Sequence, residues 1–185
     1  GKAEGKAEGK AEGKAEGGTA PPRVVLLTLG DEVLNAVRYV HRQLGVRSHV
    51  TLLDMNYMQF PWFVERAPHQ PELSSLRFPG TNYGSSPGAF VMSQLLDANY
   101  QDHLFFVCGG MHSHDATWQQ GYRLWPLGMN MQVLRRSASI KLDKWAAKSA
   151  KLLPSLAWHA PPEAGSWAEV VANNHYLAAH HQRPF

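Results

Sequence analysis

Apolar residues gather in three short runs, Val24 to Leu29, Val50 to Leu53 and Leu104 to Val107, each followed by glycine, aspartate or cysteine rather than continued at helical spacing. Runs of this length predict buried strands, over Arg23 to Leu29, His49 to Leu53 and His103 to Val107. Between the first two, Val33, Ala36, Val37, Val40 and Leu44 recur at helical intervals. That spacing predicts an amphipathic helix, opened by Asp31 as N-cap and stopped at Gly45. A second helix is expected over Ala89 to Asn99, with Phe90, Met92, Leu95 and Leu96 inward. Tyr57 to Arg66 reads as a short aromatic segment broken by Pro61. Strand, helix, strand, helix, strand with right-handed crossovers implies an α/β fold: a small parallel sheet with helices on both faces, Rossmann-like in three layers.

The polar punctuation fills in the rest. Pro68 to Gly88 is rich in Pro, Gly and Ser and reads as a long loop over the sheet edge, ordered by the embedded Arg77-Phe78-Pro79-Gly80-Thr81-Asn82-Tyr83. Helices are expected over Ser139 to Leu153 and, after Pro161-Pro162, over Ser166 to His181. In the first of these Lys141, Lys144, Lys148 and Lys151 share one face, and Leu142, Trp145, Ala146, Ser149 and Leu153 another. The lysine face suits solvent, or an anionic membrane surface as the second reading. The expected organisation is a linker over 1–22, an α/β domain over 23–138 and a helical extension over 139–185.

The linker is four copies of Gly-Lys-Ala-Glu, whose glycines disfavour a helix and whose composition cannot build a core. It holds four of the 18 basic and four of the 15 acidic side chains, so the net charge of +3 belongs to the remainder. That balance gives no concentrated basic face and argues against nucleic-acid binding. The single cysteine, Cys108, excludes a disulfide framework and a cysteine metal cluster. It reads as a small buried hydrophobe before a nucleophile. No apolar run approaches the roughly 20 residues of a membrane helix, and the chain reads as a soluble piece of something larger.

If the three strands are parallel, the loops after them meet at one edge, where open α/β sheets bind ligands. Those loops hold Gly30-Asp31, Asp54-Met55-Asn56 and Cys108-Gly109-Gly110-Met111-His112-Ser113-His114-Asp115. His112 and His114 with a carboxylate from Asp31 or Asp54 could hold zinc or iron, but the spacing is no metal signature, and a hydrogen-bonded turn explains it better. Asp31 could act as a base or hold a ligand hydroxyl, although capping alone accounts for it. There is no Gly-x-Gly-x-x-Gly fingerprint, which argues against a dinucleotide, and no serine nucleophile elbow. Trp118, Tyr122, Trp125 and Trp62 could form an aromatic platform, with core packing as the plainer reading. His175, His180 and His181 read as surface.

Several blocks also carry a family resemblance. Gly30-Asp31-Glu32-Val33-Leu34-Asn35-Ala36-Val37-Arg38-Tyr39-Val40, continuing through Gly45-Val46-Arg47 to Val50 and Trp62-Phe63, is followed in order by Arg77-Phe78-Pro79-Gly80, Phe106-Val107-Cys108-Gly109-Gly110-Met111-His112, Asp115-Ala116-Thr117-Trp118 and Tyr122-Arg123-Leu124-Trp125-Pro126-Leu127-Gly128. Ser166-Trp167-Ala168-Glu169-Val170-Val171-Ala172-Asn173 adds a last block. Together they resemble the soluble region of the multi-pass endoplasmic-reticulum protein O-mannosyltransferases that modify the IPT domains of plexins and related receptors, and of their bacterial relatives. The family's Arg-Pro-Asp-Val is replaced here by Arg47-Ser48-His49-Val50, so no role of that aspartate carries over.

The resemblance implies an endoplasmic-reticulum membrane protein with this region on the lumenal side. In such enzymes the catalytic acid sits in a loop between membrane helices and the donor is dolichyl-phosphate mannose. This chain would then be a non-catalytic lumenal domain with no cofactor of its own, partnered by the membrane portion of the same polypeptide and by protein acceptor domains. Its candidate ligand- or acceptor-binding residues are Asp31, Asp54, Asn56, Arg77, His112, His114, Asp115, Trp118 and Trp125, with no residue assigned to catalysis or to a metal. The alternatives are a free-standing metal- or phosphate-binding enzyme using the Asp31, His112 and His114 edge, and a structural or assembly module.

Overall fold

The computed structural model describes residues 23–43, 45, 49–152, 162–171 and 173. Strands β1 (Arg23–Thr28), β2 (Val50–Asp54) and β3 (His103–Cys108) are parallel, with β1 in the middle. Helix α1 (Asp31–Gln43) links β1 to β2; α2 (Pro61–Arg66) and α3 (Met92–Asn99) lie between β2 and β3. One crossover leaves β1 outward and the other returns past it, so two right-handed connections put α1 and α3 on opposite faces. The α/β class with flanking helices is therefore as the sequence pattern implies.

The sheet goes further than the pattern does. Helix α4 (Trp118–Gly121) leads into β4 (Tyr122–Leu127) and β5 (Asn130–Arg135), an antiparallel hairpin whose β5 pairs with β3. The result is a mixed sheet of five strands in the order β2-β1-β3-β5-β4. Pro126 inside β4 is tolerated because β4 is an edge strand, where a missing N–H costs no ladder bond on the outer side.

The core lies on one face of this sheet. Val25, Leu27, Leu53, Phe105 and Val107 alternate toward it and are fully buried under Phe63 and Val64 of α2, Met92, Leu95 and Leu96 of α3, and Leu73, Leu76 and Tyr83 of the long loop. That loop is ordered, as expected: the N–H of Tyr83 donates to the carbonyl of Met58 at 2.7 Å, and that of Phe90 to Asn82 at 2.8 Å. The helix expected from Ala89 begins only at Met92, because Phe90 pairs with Tyr83 in a short parallel bridge. On the opposite face, α5 (Leu142–Leu152) docks by Trp145 against Trp125, ring centroids 5.6 Å apart and edge to face. Leu142, expected on the inner face of α5, is exposed.

Of the last expected helix, α6 (Trp167–Val171) is described. The repeat over 1–22 and His175, His180 and His181 lie outside the described residues. Among the described residues no helix is long and apolar enough to cross a membrane.

Candidate functional site

The C-terminal ends of β1, β2 and β3 are held together before any ligand is considered. Asp54, ending β2, is 2% exposed. Thr28 Oγ1 at the end of β1 donates to its Oδ2 at 2.8 Å, and the N–H groups of Asn56 and Tyr57 donate to its Oδ1 at 2.9 and 3.3 Å. Both oxygens are committed, which makes Asp54 a clamp that sets the turn after β2. On the other side Gly109, with φ +86, lets the chain leave β3 so close to β1 that a Cβ there would sit 3.2 Å from the carbonyl oxygen of Leu29.

The turn set by Asp54 reaches the histidines. It runs into a 3-10 turn, Tyr57–Gln59, from which Gln59 Nε2 donates to Asn56 Oδ1 at 3.4 Å and to His112 Nε2 at 3.2 Å. The His112 and His114 rings lie 5.1 Å apart, and Tyr83 stands edge-on to His112 at 6.0 Å. Gln59, Tyr83, Ser85, His112, His114 and Thr117 line a cleft of about 350 Å3.

Asp115 forms the wall of this cleft and is as fully used as Asp54. Its Oδ2 accepts from the N–H of Met92, opening α3, at 2.6 Å; its Oδ1 accepts from the N–H and hydroxyl of Thr117 at 2.9 and 2.6 Å. Burial pushes the Asp115 carboxyl up, but the bonds from Thr117, Met92 and Tyr83 outweigh it and hold it below the usual carboxylate range. Tyr83 is pushed far up, by burial first and then by the Asp115 charge and hydrogen bond, so it stays a neutral phenol. Burial likewise raises the Cys108 thiol, which is partly rather than fully buried.

Of the residues singled out from sequence, the structure brings His112, His114 and Asp115 to one cleft, with Asn56 behind it as an acceptor for Gln59. Asp31 is exposed, and its expected place as N-cap goes to Gly30, whose carbonyl accepts the first bond of α1 from Leu34 at 3.1 Å. The carboxylate therefore sits inside the first turn. Arg77 lies at the other end of the sheet, paired with Asp102 at 3.3 Å just before β3 begins.

The four aromatics do not form one platform. Tyr122 is buried and donates to Asp97 of α3 at 2.7 Å, Trp118 packs against the core, and Trp125 turns to the opposite face of β4. Trp62 alone stays half-exposed, stacked with Phe60 at 6.0 Å. Among the described residues no three His, Cys, Asp or Glu groups converge to hold a metal ion. Gln59, Tyr83, Ser85 and Thr117 were not foreseen. The one available signal was Tyr83, an aromatic side chain in an otherwise Gly-, Ser- and Asn-rich part of the long loop.

The geometry defines an α/β unit with a polar, partly aromatic cleft at the strand C-terminal edge. By sequence it is homologous to protein O-mannosyl-transferases of the TMEM260 type. It is 29% identical over 173 residues to the mouse protein O-mannosyl-transferase TMEM260, covering 89% of this chain and 24% of that protein. It is 29% identical over 124 residues to the Dictyostelium discoideum protein O-mannosyl-transferase tmem260, covering 66% of this chain and 15% of that one. The chain thus spans a quarter or less of the curated relatives it matches. No protein-family model matches it, and no solved structure matches it.

Proposed function

We propose that this chain is a non-catalytic lumenal region of a membrane-embedded O-mannosyltransferase-like enzyme of the endoplasmic reticulum, and that the cleft edge positions the protein acceptor. Homology to the two O-mannosyl-transferases supports the enzyme class. The observation that carries the role is the state of the two edge carboxylates that are not exposed, Asp31 standing open in the first turn of α1. Asp54 and Asp115 spend their oxygens on N–H and hydroxyl groups of the chain itself, which suits shaping a surface rather than moving protons. Glycosyl transfer, with dolichyl-phosphate mannose as donor, then falls to the membrane portion of the same polypeptide. The lumenal cleft offers the acceptor hydrogen-bonding groups from Gln59, His112 and His114.

The test is made in the intact membrane enzyme carrying this region. Replacing His112 and His114 together by Ala is expected to raise KM for a folded protein acceptor about tenfold, equivalent to about 1.4 kcal/mol, with KM for dolichyl-phosphate mannose unchanged. Unchanged acceptor kinetics, or a fall in kcat with neither KM moved, would sink the reading.

A further inference from the structure

The lining of the cleft narrows the chemistry of what it can take. Among the described residues no Lys or Arg lines it, and the N–H of Met92 that opens α3 is already given to Asp115, so neither a Lys or Arg cation nor that helix end is left for a phosphate or carboxylate. A cationic ligand would need an uncommitted carboxylate, and both oxygens of Asp115 are taken. What the lining leaves to a ligand is the Gln59 side-chain carbonyl, the His112 and His114 imidazoles and the Ser85 hydroxyl, because the Thr117 hydroxyl and the Tyr83 phenol are already given to Asp115. Such groups match a neutral molecule dense in hydroxyls, and about 350 Å3 lies at the small end of ligand pockets.

The chain carries an exposed apolar surface directly after the cleft residue Gln59. Gln59 is followed directly by Phe60, and Phe60 and Trp62 are 49% and 50% exposed, their rings tilted only 25° from parallel. Helix α2 holds the pair out, because its other residues Phe63 and Val64 are buried in the core and Trp62 rests edge-on against Phe63 at 6.0 Å. Keeping two large rings half in water forgoes the hydrophobic stabilisation that their burial would bring. A pyranose has the complementary pair of surfaces: a C–H face that stacks on aromatic rings and an edge of hydroxyls that both donate and accept.

We infer that the cleft and the Phe60–Trp62 pair bind a neutral hexopyranose unit carried by the acceptor protein. This rests on the acceptor-positioning reading and adds that the edge recognises sugar already present on the acceptor rather than bare peptide.

Saturation-transfer NMR on the full chain tests it, with methyl α-D-mannopyranoside, methyl β-D-glucopyranoside and methyl β-D-galactopyranoside as probes at millimolar concentration. Saturation transfer to at least one glycoside is expected, weakened tenfold or more in Trp62→Ala and in His114→Ala. Circular dichroism checks their folding, and Ser85→Ala, at an exposed loop position, serves if either fails to fold. Silence with all three glycosides overturns the inference, as does transfer undiminished by the substitutions. Chemical-shift changes at His112 and His114 caused by inorganic phosphate or by an unglycosylated Ser/Thr peptide, without any from the glycosides, overturn it too. A raised acceptor KM in the His112/His114 enzyme without glycoside binding leaves acceptor positioning standing and removes the sugar. Glycoside binding with acceptor kinetics unchanged supports the sugar site and fails only the acceptor reading.

Discussion

At the scale of single residues, the carboxylates were visible in the sequence but their work was not. Asp31, Asp54 and Asp115 all follow apolar runs, and nothing in their spacing separates a free acid from one bound by backbone N–H groups. The structure separates them by where those groups point. Asp115 joins α3 to the loop after β3, so Asp115→Asn, which leaves one oxygen and turns an amide NH2 toward donors, is expected to cost about 2–3 kcal/mol in urea unfolding. The pH dependence has a definite sign. The folded carboxyl lies below its unfolded value near 3.9, so its stabilisation is complete above that value and drains as pH falls through the depressed one. Unfolding midpoints measured from pH 7 to 2.5 should fall more steeply below about pH 4 in the native chain than in the Asn variant.

A second window belongs to His103. Buried at the start of β3 between Ser75 Oγ and the Asn99 carbonyl, it is held below its usual range by burial, against the Asn99 bond, which favours the charged ring. It folds neutral, so its contribution is complete above about pH 6.5 and declines as pH drops below that. Midpoints compared at pH 7.5 and 5.5 should show a loss that His103→Gln abolishes, and an equal loss in both proteins would refute it.

At the scale of elements, the parallel unit was legible because each of its strands is a continuous apolar run and each helix keeps its period. The hairpin was not. Tyr122 to Leu127 mixes Arg123, two aromatics and Pro126, which reads as an aromatic patch rather than a strand. Only pairing with β5, at an edge that forgives the proline, makes it one. The two-residue turn between them rests on Gly128 at φ +64. A sharper test of local geometry lies after β3, where two adjacent glycines both have positive φ. Gly109→Ala would bring a Cβ to 3.2 Å from Leu29 O, whereas Gly110→Ala meets nothing within 4 Å. Both pay left-handed strain of about 1–2 kcal/mol. Gly109→Ala must also push β1 and β3 apart, so it should be the more destabilising and should displace the His112 and His114 resonances. Equal effects at the two positions would mean that the close approach contributes nothing.

At the scale of the whole molecule, the two sheet faces are unequal, and the sequence hid this because strands buried on both sides look the same as strands buried on one. Val25, Leu27, Phe105 and Val107 are sealed, while their neighbours Val24, Leu26, Leu52 and Phe106 are only half-covered and line a groove of about 420 Å3 beside α1. The cleft was hidden for a related reason: its walls come from loops some 25 to 55 residues apart that only the closed sheet brings together, as the contact of Gln59 with His112 shows. The open face gives a prediction that does not depend on the cleft. An apolar groove of this size in a folded chain should take up the dye ANS at pH 7, with fluorescence enhanced before any urea-induced loss of near-ultraviolet circular dichroism. Val40, 42% exposed, lines the groove, so Val40→Lys should cut the enhancement severalfold while shifting stability by no more than ~0.5 kcal/mol. Enhancement that appears only once the core signal is lost would instead report the sealed face opening, and would mean that the half-covered face is closed in solution.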